Sequence, residues 1–282
     1  MKKIGSTNRY EAFADSQTGG RSENQDFCDG FLLDSGEMVL TVCDGMGGSV
    51  GGSTASRVAA DAILESLKQA LIDRGRTSSM EARLHNAIEE ANMAVYNCAI
   101  NNPDLLGMGT TTVTLLLTDE AAYIAHVGDS RAYRLHNRHK LFRTFDHSYV
   151  MENFVRTGLR SEEWARTAPN ANIITRALGL KTTMPVDIQR IPYRKGDRFV
   201  LCCDGVWNAI KEPQLLSLFS TSADAGQALS TLMSHIDEIG KKSGKEYDNF
   251  TAIMVDIKSN SKLQYSWCYR IMHKLQRLTC HK

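Results

Sequence analysis

The sequence predicts an α+β fold, in which antiparallel sheets and helices form separate layers. Two segments repeat apolar residues at the helical period, whereas much of the remaining chain consists of short apolar runs rich in β-branched residues. The polar separators at residues 119–120 and 136–138 are short enough to be hairpin turns. Hairpins join antiparallel neighbours, which argues against the crossover connections of a parallel sheet.

Two amphipathic helices are expected in the first part of the chain. The first follows Ser53, a suitable N-cap, and the second begins at residues 78–81, where Ser-Ser-Met-Glu has the spacing of a capping box. Each helix has one apolar face that we expect to lie on a core. These faces comprise Ala59, Ala62, Ile63, Leu67, Ala70 and Leu71 in the first helix, and Leu84, Ile88, Ala91, Val95 and Ala99 in the second.

Five apolar runs are predicted to be strands, and one polar stretch interrupts them. The runs occupy residues 38–42, 111–117, 123–127, 198–202 and 250–257. At about residues 146–172 the chain becomes polar and locally helical, with a helix start at Ser161, which is more typical of an inserted flap than of a core. We expect one domain over residues 1–257, because a chain with 42% hydrophobic residues can bury one large core.

Net charge and cysteine usage narrow the class of protein. A net charge of +1 provides no overall field to attract nucleic acid, so no nucleic-acid partner is expected. The 7 cysteines include Cys43, Cys202 and Cys203, which lie in apolar runs and are expected to be buried thiols in a reducing compartment. The chain also lacks the roughly 18 consecutive apolar residues of a membrane span. We therefore expect a cytoplasmic protein.

Residues 258–282 form a basic tail without an acidic residue. Trp267, Ile271, Leu275 and Leu278 recur in this tail at near-helical spacing. A basic amphipathic tail can bind a partner or an anionic membrane surface. A terminal helix packed on its own domain is the alternative, and the sequence leaves both open.

Several apolar runs end in an aspartate beside a glycine. Such a strand delivers a carboxylate to the sheet edge, and the glycine lets the backbone approach whatever the carboxylate holds. One Asp-Gly pair is more often a solvated turn, but the recurrence predicts a shared site, whose carboxylates would repel one another unless cations neutralised them. The residues concerned are Asp44 with Gly45, Asp129 with Gly128, Asp204 with Gly205, and Asp248 just before the last run.

The ligands of this predicted site are oxygen atoms, which favour Mg²⁺ or Mn²⁺ over Zn²⁺. Two such ions about 4 Å apart can clamp a phosphoryl oxygen and activate a water molecule as the nucleophile. Arg21, in the segment RSENQD, offers a guanidinium that can bind two phosphate oxygens in a fixed fork. The residues therefore indicate metal-dependent hydrolysis of a phosphate ester.

Eight segments within residues 21–257 resemble, in order, the metal-dependent type 2C family of serine/threonine protein phosphatases in its short bacterial form. The resemblance implies a four-layer αββα sandwich, in which helix pairs flank two antiparallel sheets, with a flap that influences substrate choice. The segments are RSENQD, CDGMGGSVGG, GMGTTTVTLLL, HVGDSRAYRL, FDHS, NIITRALG, DRFVLCCDGVWN and DNFTAIMV.

The resemblance also implies metal-binding roles for the acidic residues. Asp44 bridges two ions, Mn²⁺ or Mg²⁺, and the carbonyl of Gly45 contacts the second of them. Asp204 and Asp248 complete the first ion's ligands. Asp26 corresponds to a position that holds metal-bound water.

Three further features follow from the resemblance. Asp129 and Asp204 correspond to a third metal site of bacterial members. Arg21 corresponds to the phosphate-binding arginine and so, with Asp44, to the catalytic machinery. The implied substrates are phosphorylated proteins, made by a cognate serine/threonine kinase, and the enzyme is expected to be a monomer.

The chain departs from relatives at three positions near these motifs. Gln25 replaces a glutamate of eukaryotic members, which removes one charge near the second ion. Met46 and Ser49 stand where eukaryotic and many bacterial members, respectively, carry histidine, so these positions do not identify the general acid. His126 and His147 lie near the motifs, although histidines on a strand or flap are more often structural. A metal-bound water is the remaining proton donor.

Two other interpretations stay open at this stage. One is a scaffold that keeps the phosphatase fold but binds a kinase or phosphoprotein without turnover. The second is a regulatory phosphatase for one dedicated phosphoserine, chosen by the flap around Trp164 and by surface loops. The intact acidic residues weigh against the scaffold, whereas the missing histidine weighs slightly for it.

Overall fold

The structure, a computed structural model, describes residues 1–73, 78–137, 139–222 and 224–265. For residues 48–50 and 264–265 it describes the backbone alone. The expected amphipathic positions of the tail lie outside the described residues: these are Trp267, Ile271, Leu275 and Leu278.

Strands form the two inner layers of the fold. Short polar turns join neighbouring strands as hairpins, including the predicted turn at residues 119–120. The strands are β1 (Lys2–Ser6), β2 (Tyr10–Gln17), β3 (Asp26–Leu32), β4 (Met38–Met46), β5 (Gly109–Thr110), β6 (Thr112–Leu117), β7 (Ala122–Val127), β8 (Arg131–His136), β9 (His139–Arg143), β10 (Asp187–Ile191), β11 (Asp197–Cys202) and β12 (Phe250–Ile257). Strands β8 and β9, on either side of the second predicted turn, also pair as antiparallel neighbours, with His136 opposite His139.

These strands form two antiparallel sheets. The first sheet has the order β1-β2-β12-β11-β8-β9. The second has the order β10-β7-β6-β4-β3, with β5 paired to the end of β4. The chain passes from the second sheet to the first between β7 and β8, and this turn contains Asp129.

Helices form the outer layers. The helices α1 and α2 pack on the second sheet, and α5 and α6 pack on the first, which confirms the predicted four-layer α+β sandwich. Their bounds are α1 (Gly48–Ile72), α2 (Met80–Asn101), α3 (Glu162–Ala165), α4 (Asp204–Trp207), α5 (Glu212–Leu218), α6 (Ala225–Ser243) and α7 (Lys262–Tyr265), with a 3₁₀ turn at Pro103–Leu105 and a π-helical turn at Met151–Val155.

Successive side chains point to opposite faces of each strand, and this alternation divides the core into two parts. On β4, Leu40 and Val42 face the first sheet, whereas Val39 and Cys43 face α1 and α2. Strand β6 repeats this division, since Leu116 packs on the helices and its neighbours along the strand face inward. Successive side chains on a strand point to opposite faces, so the second sheet is buried on both sides.

Both predicted helices are present, although each begins at a different residue from the one expected. Helix α1 starts at Gly48, before the expected cap Ser53, because the chain enters the helix directly from the turn at Gly47. Helix α2 is capped by Ser79, one residue after the first serine of the expected capping box, and the Ser79 side chain accepts a hydrogen bond from the Ala82 N–H.

The polar stretch after β9 forms a flap with a small core of its own. Val150, Met151, Ala165 and Ala168 are buried together there, and Trp164 packs against them. The predicted helix start is confirmed: Ser161 Oγ accepts from the N–H of Trp164 at 3.2 Å. The flap therefore packs as a separate small unit beside the sandwich.

The chain after β12 remains on the sandwich for several residues. Ser261 is fully buried, and its N–H donates to the carbonyl of Tyr193 at 2.9 Å. The Lys262 N–H then donates to the Asp119 carbonyl at 2.9 Å, so this packing extends beyond the predicted domain end at residue 257. In the described part of the chain, no helix combines the length and apolar composition of a membrane span.

Candidate metal centre

Two carboxylates meet where β3 begins and β4 ends. Asp26 and Asp44 are direct partners in the antiparallel register of these strands. The Asp44 carbonyl accepts hydrogen bonds from the Thr111 N–H at 2.8 Å and from Thr110 Oγ1 at 2.9 Å. Directly paired antiparallel residues have Cβ atoms about 5 Å apart, so the sheet itself holds the two acids together.

Two more carboxylates arrive from the first sheet. Asp204 follows β11 and opens α4, and Asp248 stands just before β12, the neighbouring strand. Gly205 makes this close approach feasible, because a Cβ at its position would lie 1.9 Å from the carbonyl oxygen of Asn249. A side chain at residue 205 would therefore push the ends of β11 and β12 apart.

The fifth carboxylate, Asp129, lies in the turn that connects the two sheets. Gly128 before it has φ +102°, a conformation that favours glycine. The Trp207 Nε1–H donates to the Asp129 carbonyl at 3.0 Å. Behind the turn, Arg131 and Asp146 form a buried ion pair with contacts of 2.8 and 2.6 Å. These contacts fix the loop that carries Asp129.

Four of these carboxylates, those of Asp26, Asp44, Asp129 and Asp204, have raised pKa values, to which neighbouring carboxylate charges contribute. Burial is the main cause of the raised pKa of Asp44, and the charges of Asp26 and Asp204 add to it. Burial likewise raises the pKa of Asp129, with Asp204 as the next cause, and that of Asp204, with Asp248 as the next. Burial raises the pKa of Asp26 to about 7. Nearby like charges disfavour ionisation, and a bound cation would reverse this.

The donor atoms fit hard divalent cations. Asp26 is only 7% exposed, and its Oδ2 atom is buried without a hydrogen-bond partner among the described residues. Gly45 and Gly52 are packed closely, since a Cβ on Gly52 would lie 3.0 Å from the Gly45 carbonyl oxygen. Carboxylate and carbonyl oxygens are the ligands that magnesium and manganese prefer.

Arg21 lies at the edge of this cluster and contacts one of its acids. Its Nε and Nη2 atoms donate to the two carboxylate oxygens of Asp248 at 3.2 and 3.3 Å, and Nη1 donates to Glu246 at 3.3 Å. The side chain is 47% exposed. The structure therefore brings Arg21 beside the aspartates, with its guanidinium accessible to an incoming anion.

A sequence model of the family described as protein phosphatase 2C matches residues 15–238. The chain belongs to this family. The phosphatase is 32% identical over 238 residues to the serine/threonine phosphatase Stp of Listeria monocytogenes, covering 84% of this chain and 91% of the relative. It is also 28% identical over 239 residues to the protein phosphatase PhpP of Streptococcus pneumoniae, covering 84% and 93%.

Solved structures agree with this assignment. Stp1 from Staphylococcus aureus superposes on the phosphatase with a TM-score of 0.74 at 29% identity, covering 91% of this chain and 98% of that one. The catalytic domain of PstP, solved in complex with 2 manganese ions, gives 0.69 at 26% identity and covers 88% and 98%. The chain is thus a metal-dependent protein phosphatase, and its family uses manganese or magnesium.

Asn249 is a residue of the site that the sequence did not single out. Its side-chain amide donates to the carbonyls of Thr18 at 2.7 Å and Glu23 at 2.9 Å, and its Oδ1 accepts from the Gln25 N–H at 2.8 Å. Asn249 therefore fixes the loop that carries Arg21. Its position directly after Asp248 could have indicated a role in the site. Its hydrogen-bond partners, however, lie more than 200 residues away along the chain.

The two histidines near the motifs are held in structural contacts. His126 and His147 stack with centroids 4.5 Å apart, and His126 Nε2 contacts the Phe145 carbonyl at 2.9 Å. His147 Nδ1 accepts from the Gly128 N–H, while Arg176 Nη1 lies 3.1 Å from its Nε2. Burial and the charges of His126 and Arg176 lower the pKa of His147 to about 4. A neutral imidazole at pH 7 is a poor proton donor.

The other departures lie close to the centre. The Gln25 carbonyl accepts from the Gly45 N–H at 3.1 Å, so residue 25 contacts the residue after Asp44 through its backbone. Met46 ends β4 and carries no titratable proton. Ser49 is in the first turn of α1, where only the backbone is described. Neither Gln25 nor Met46 supplies a general acid.

Proposed function

We propose that this phosphatase hydrolyses phosphoserine and phosphothreonine in proteins at the carboxylate cluster. The observation that carries the proposal is the convergence of five aspartates from both sheets at one end of the sandwich, beside an arginine. The Stp and PhpP relatives support it, since Stp is named a serine/threonine phosphatase. A scaffold that binds proteins without turnover would not need five aspartates crowded together in this way.

The acidic residues divide between two or three cations in our proposal. When bound, the ions neutralise phosphoryl oxygens and activate a water molecule for attack on phosphorus. The expected roles are Asp44 as the ligand shared by both ions, Gly45 through its carbonyl to the second, Asp204 and Asp248 to the first, Asp26 to coordinated water, and Asp129 with Asp204 to a third ion.

Arg21 binds the substrate phosphate. Its guanidinium already holds two carboxylate oxygens of Asp248, and a phosphate offers the same fork geometry with more charge. We propose that the guanidinium turns from Asp248 and Glu246 toward the substrate when a cation neutralises Asp248. Arg21 then orients the phosphorus for in-line attack, and the leaving alkoxide takes its proton from water.

The substrate's neighbouring side chains bind under the flap. A cavity of about 680 Å³ opens beside Asp129 and Asp204, between the flap and the start of α5. Val150 and Met151 line it on the flap side, and Trp207 lines the opposite wall. The cavity also has charged walls, which include Arg143 and Glu162. A cavity of this mixed character next to the reacting phosphate suits a residue that flanks the phosphorylated one.

The remaining proposals concern the substrates, the oligomeric state, the cellular compartment and the basic tail. We propose that the substrates are products of a cognate serine/threonine kinase, and that the enzyme acts as a monomer in the cytoplasm. The cysteines of the described residues support a reducing compartment, because Cys28, Cys43, Cys98, Cys202 and Cys203 are all free. The basic tail would then bind a partner or an anionic membrane surface. Because this role of the tail is separate from catalysis, deleting residues 266–282 should leave peptide hydrolysis intact.

Hydrolysis of a phosphoserine peptide tests the proposed site. With Mn²⁺, the wild type should release phosphate, and EDTA should stop the reaction. Asp44→Ala and Asp204→Ala should each lower kcat by at least roughly 100-fold, because each removes a metal-binding carboxylate. Asp34→Ala is the matched control, since Asp34 is exposed in the turn between β3 and β4. Full activity in either site variant would contradict the assignment.

A further inference from the structure

A thiol lies among the carboxylates of the metal centre. Cys203 directly precedes Asp204 and is fully buried. Its Sγ atom and one carboxylate oxygen each from Asp26 and Asp44 all lie within 4.8 Å of one another. The group therefore combines two hard oxygen ligands with one soft sulfur ligand in a space that one cation could fill.

The thiol is held in place by the first residues of β12. The Thr251 N–H donates to Cys203 Sγ at 3.1 Å, and the sulfur lies 3.8 Å from the Asn249 carbonyl. The Thr251 N–H contact orients the side chain toward the acids, as hydrogen bonds do for metal ligands in general.

A second observation points to a ligand at the same place. Asp26 Oδ2 is buried and has no hydrogen-bond partner among the described residues. Buried polar atoms are nearly always paired, so an unpaired carboxylate oxygen beside a thiol calls for a cation. Asp44, the other carboxylate of the group, belongs to the proposed catalytic centre.

We propose that Asp26, Asp44 and Cys203 form a binding site for a thiophilic divalent cation, represented by Zn²⁺ and Cd²⁺. Thiolate and carboxylate together suit Zn²⁺, whereas Mg²⁺ takes only oxygen ligands. Binding forms a metal–sulfur bond, and the thiol proton is released to water. The proposal rests on the proposed function in one respect: because Asp44 is shared, an ion held by Cys203 blocks phosphatase activity.

Cadmium binding to the intact chain tests the site through an optical signal. Cadmium–thiolate bonds absorb in the ultraviolet, so titration with Cd²⁺ reports sulfur ligation directly. Wild type should show this absorbance rise with a Kd tighter than that of Cys203→Ser by on the order of tenfold or more. Calorimetry with Mg²⁺ should give a much smaller difference between the two proteins.

Cys43→Ser is the matched control. Cys43 is buried one residue before Asp44, but it packs among hydroxyl groups on the other face of the sheet, with Thr112 Oγ1 3.5 Å from its sulfur. Cys43→Ser should keep the cadmium absorbance and affinity of the wild type. Equal affinities in wild type and Cys203→Ser would overturn the proposal, because they would place the bound cadmium on other thiols.

X-ray absorption at the cadmium edge identifies the atoms that bind cadmium and requires no variant protein. Wild type loaded with one equivalent of Cd²⁺ should show one sulfur and several oxygen neighbours. A shell of oxygen alone, or of several sulfurs, would contradict the proposed ligand set. Peptide hydrolysis by the wild type with Mn²⁺ is measured separately, so failure of the cadmium site and failure of the phosphatase assignment give different results.

Discussion

At the scale of single residues, the crowded aspartates of the candidate metal centre lower the stability of the protein without cations. Asp44 is surrounded by Asp26, Asp129, Asp204 and Asp248, each of which raises its pKa further. Residues selected for ligand binding commonly lower stability in this way. The same repulsion is what a divalent ion removes when it binds.

Replacing Asp44 by asparagine should therefore stabilise the protein in EDTA while it removes activity. Asn keeps the size of the side chain and removes the repelling charge, so we expect a gain of about 1 kcal/mol in the free energy of unfolding. Urea denaturation in EDTA measures this gain, with Asp34→Asn as the control. A less stable Asp44→Asn protein would show that repulsion at residue 44 is unimportant.

Stability should also depend on pH in a defined direction. The folded-state pKa of Asp26 is raised to about 7 from an ordinary value of 3.8, so the folded protein binds more protons than the unfolded chain between these values. By linkage, stability in EDTA is greatest below pH 4 with respect to this group and is lost as the pH rises from 4 through 7, by on the order of 4 kcal/mol in total.

Manganese should remove this pH dependence. A cation competes with protons for the same carboxylates, so its stabilising effect should grow from pH 5 to pH 8. Denaturation midpoints measured with EDTA and with Mn²⁺ at both pH values test the expectation. If the EDTA sample were as stable at pH 8 as at pH 5, the pKa of Asp26 would not be raised in the folded protein as described.

At the scale of elements, every strand that the sequence identified lies inside a sheet. The runs that became β4, β6, β7, β11 and β12 are apolar on both faces, because these strands lie inside the sheets. Strand β3 is at the edge of its sheet and carries Asp29 and Gly30, so it has no clear apolar pattern. The spacing of apolar residues alone therefore could not predict β3 as a strand.

Helix α6 differs from β3 because its sequence contains a clear helical pattern. Asp224 caps it by accepting from the Gln227 N–H at 2.9 Å, and Leu229, Leu232 and Ile236 lie on its buried face. These positions have helical spacing, and a left-handed glycine, Gly244, ends the helix. Helix α6 could therefore have been predicted from these residues alone.

The flap should affect protein substrates more than small ones. Ala171 lines the cavity and is only partly buried, so Ala171→Trp should fill the space beside the active site. We expect kcat/KM for a phosphopeptide to fall by on the order of tenfold, or about 1.4 kcal/mol, with para-nitrophenyl phosphate little affected. Thr157→Trp, on the exposed side of the flap, is the control. Equal losses for both substrates would place the effect in the catalytic centre instead.

At the scale of the whole molecule, the candidate metal centre forms where the two sheets end together. Asp26 begins β3, Asp44 lies near the end of β4, and the other three aspartates stand just outside their strands. Most of this arrangement could be predicted because strand ends and glycines are local signals. The contacts of Arg21 with Asp248 and of Asn249 with the Arg21 loop could not, since they join residues more than 200 positions apart. Such contacts depend on which strands become neighbours.

Anomalous scattering from crystals grown with Mn²⁺ tests the central claim most directly. The account predicts two strong manganese peaks at one end of the sandwich, sharing Asp44 as a ligand, with Asp204 and Asp248 bound to one of them. A weaker third peak beside Asp129 would support the additional site. Manganese bound elsewhere, with Asp44 and Asp204 free of metal, would contradict the proposal that these strand ends form the catalytic centre.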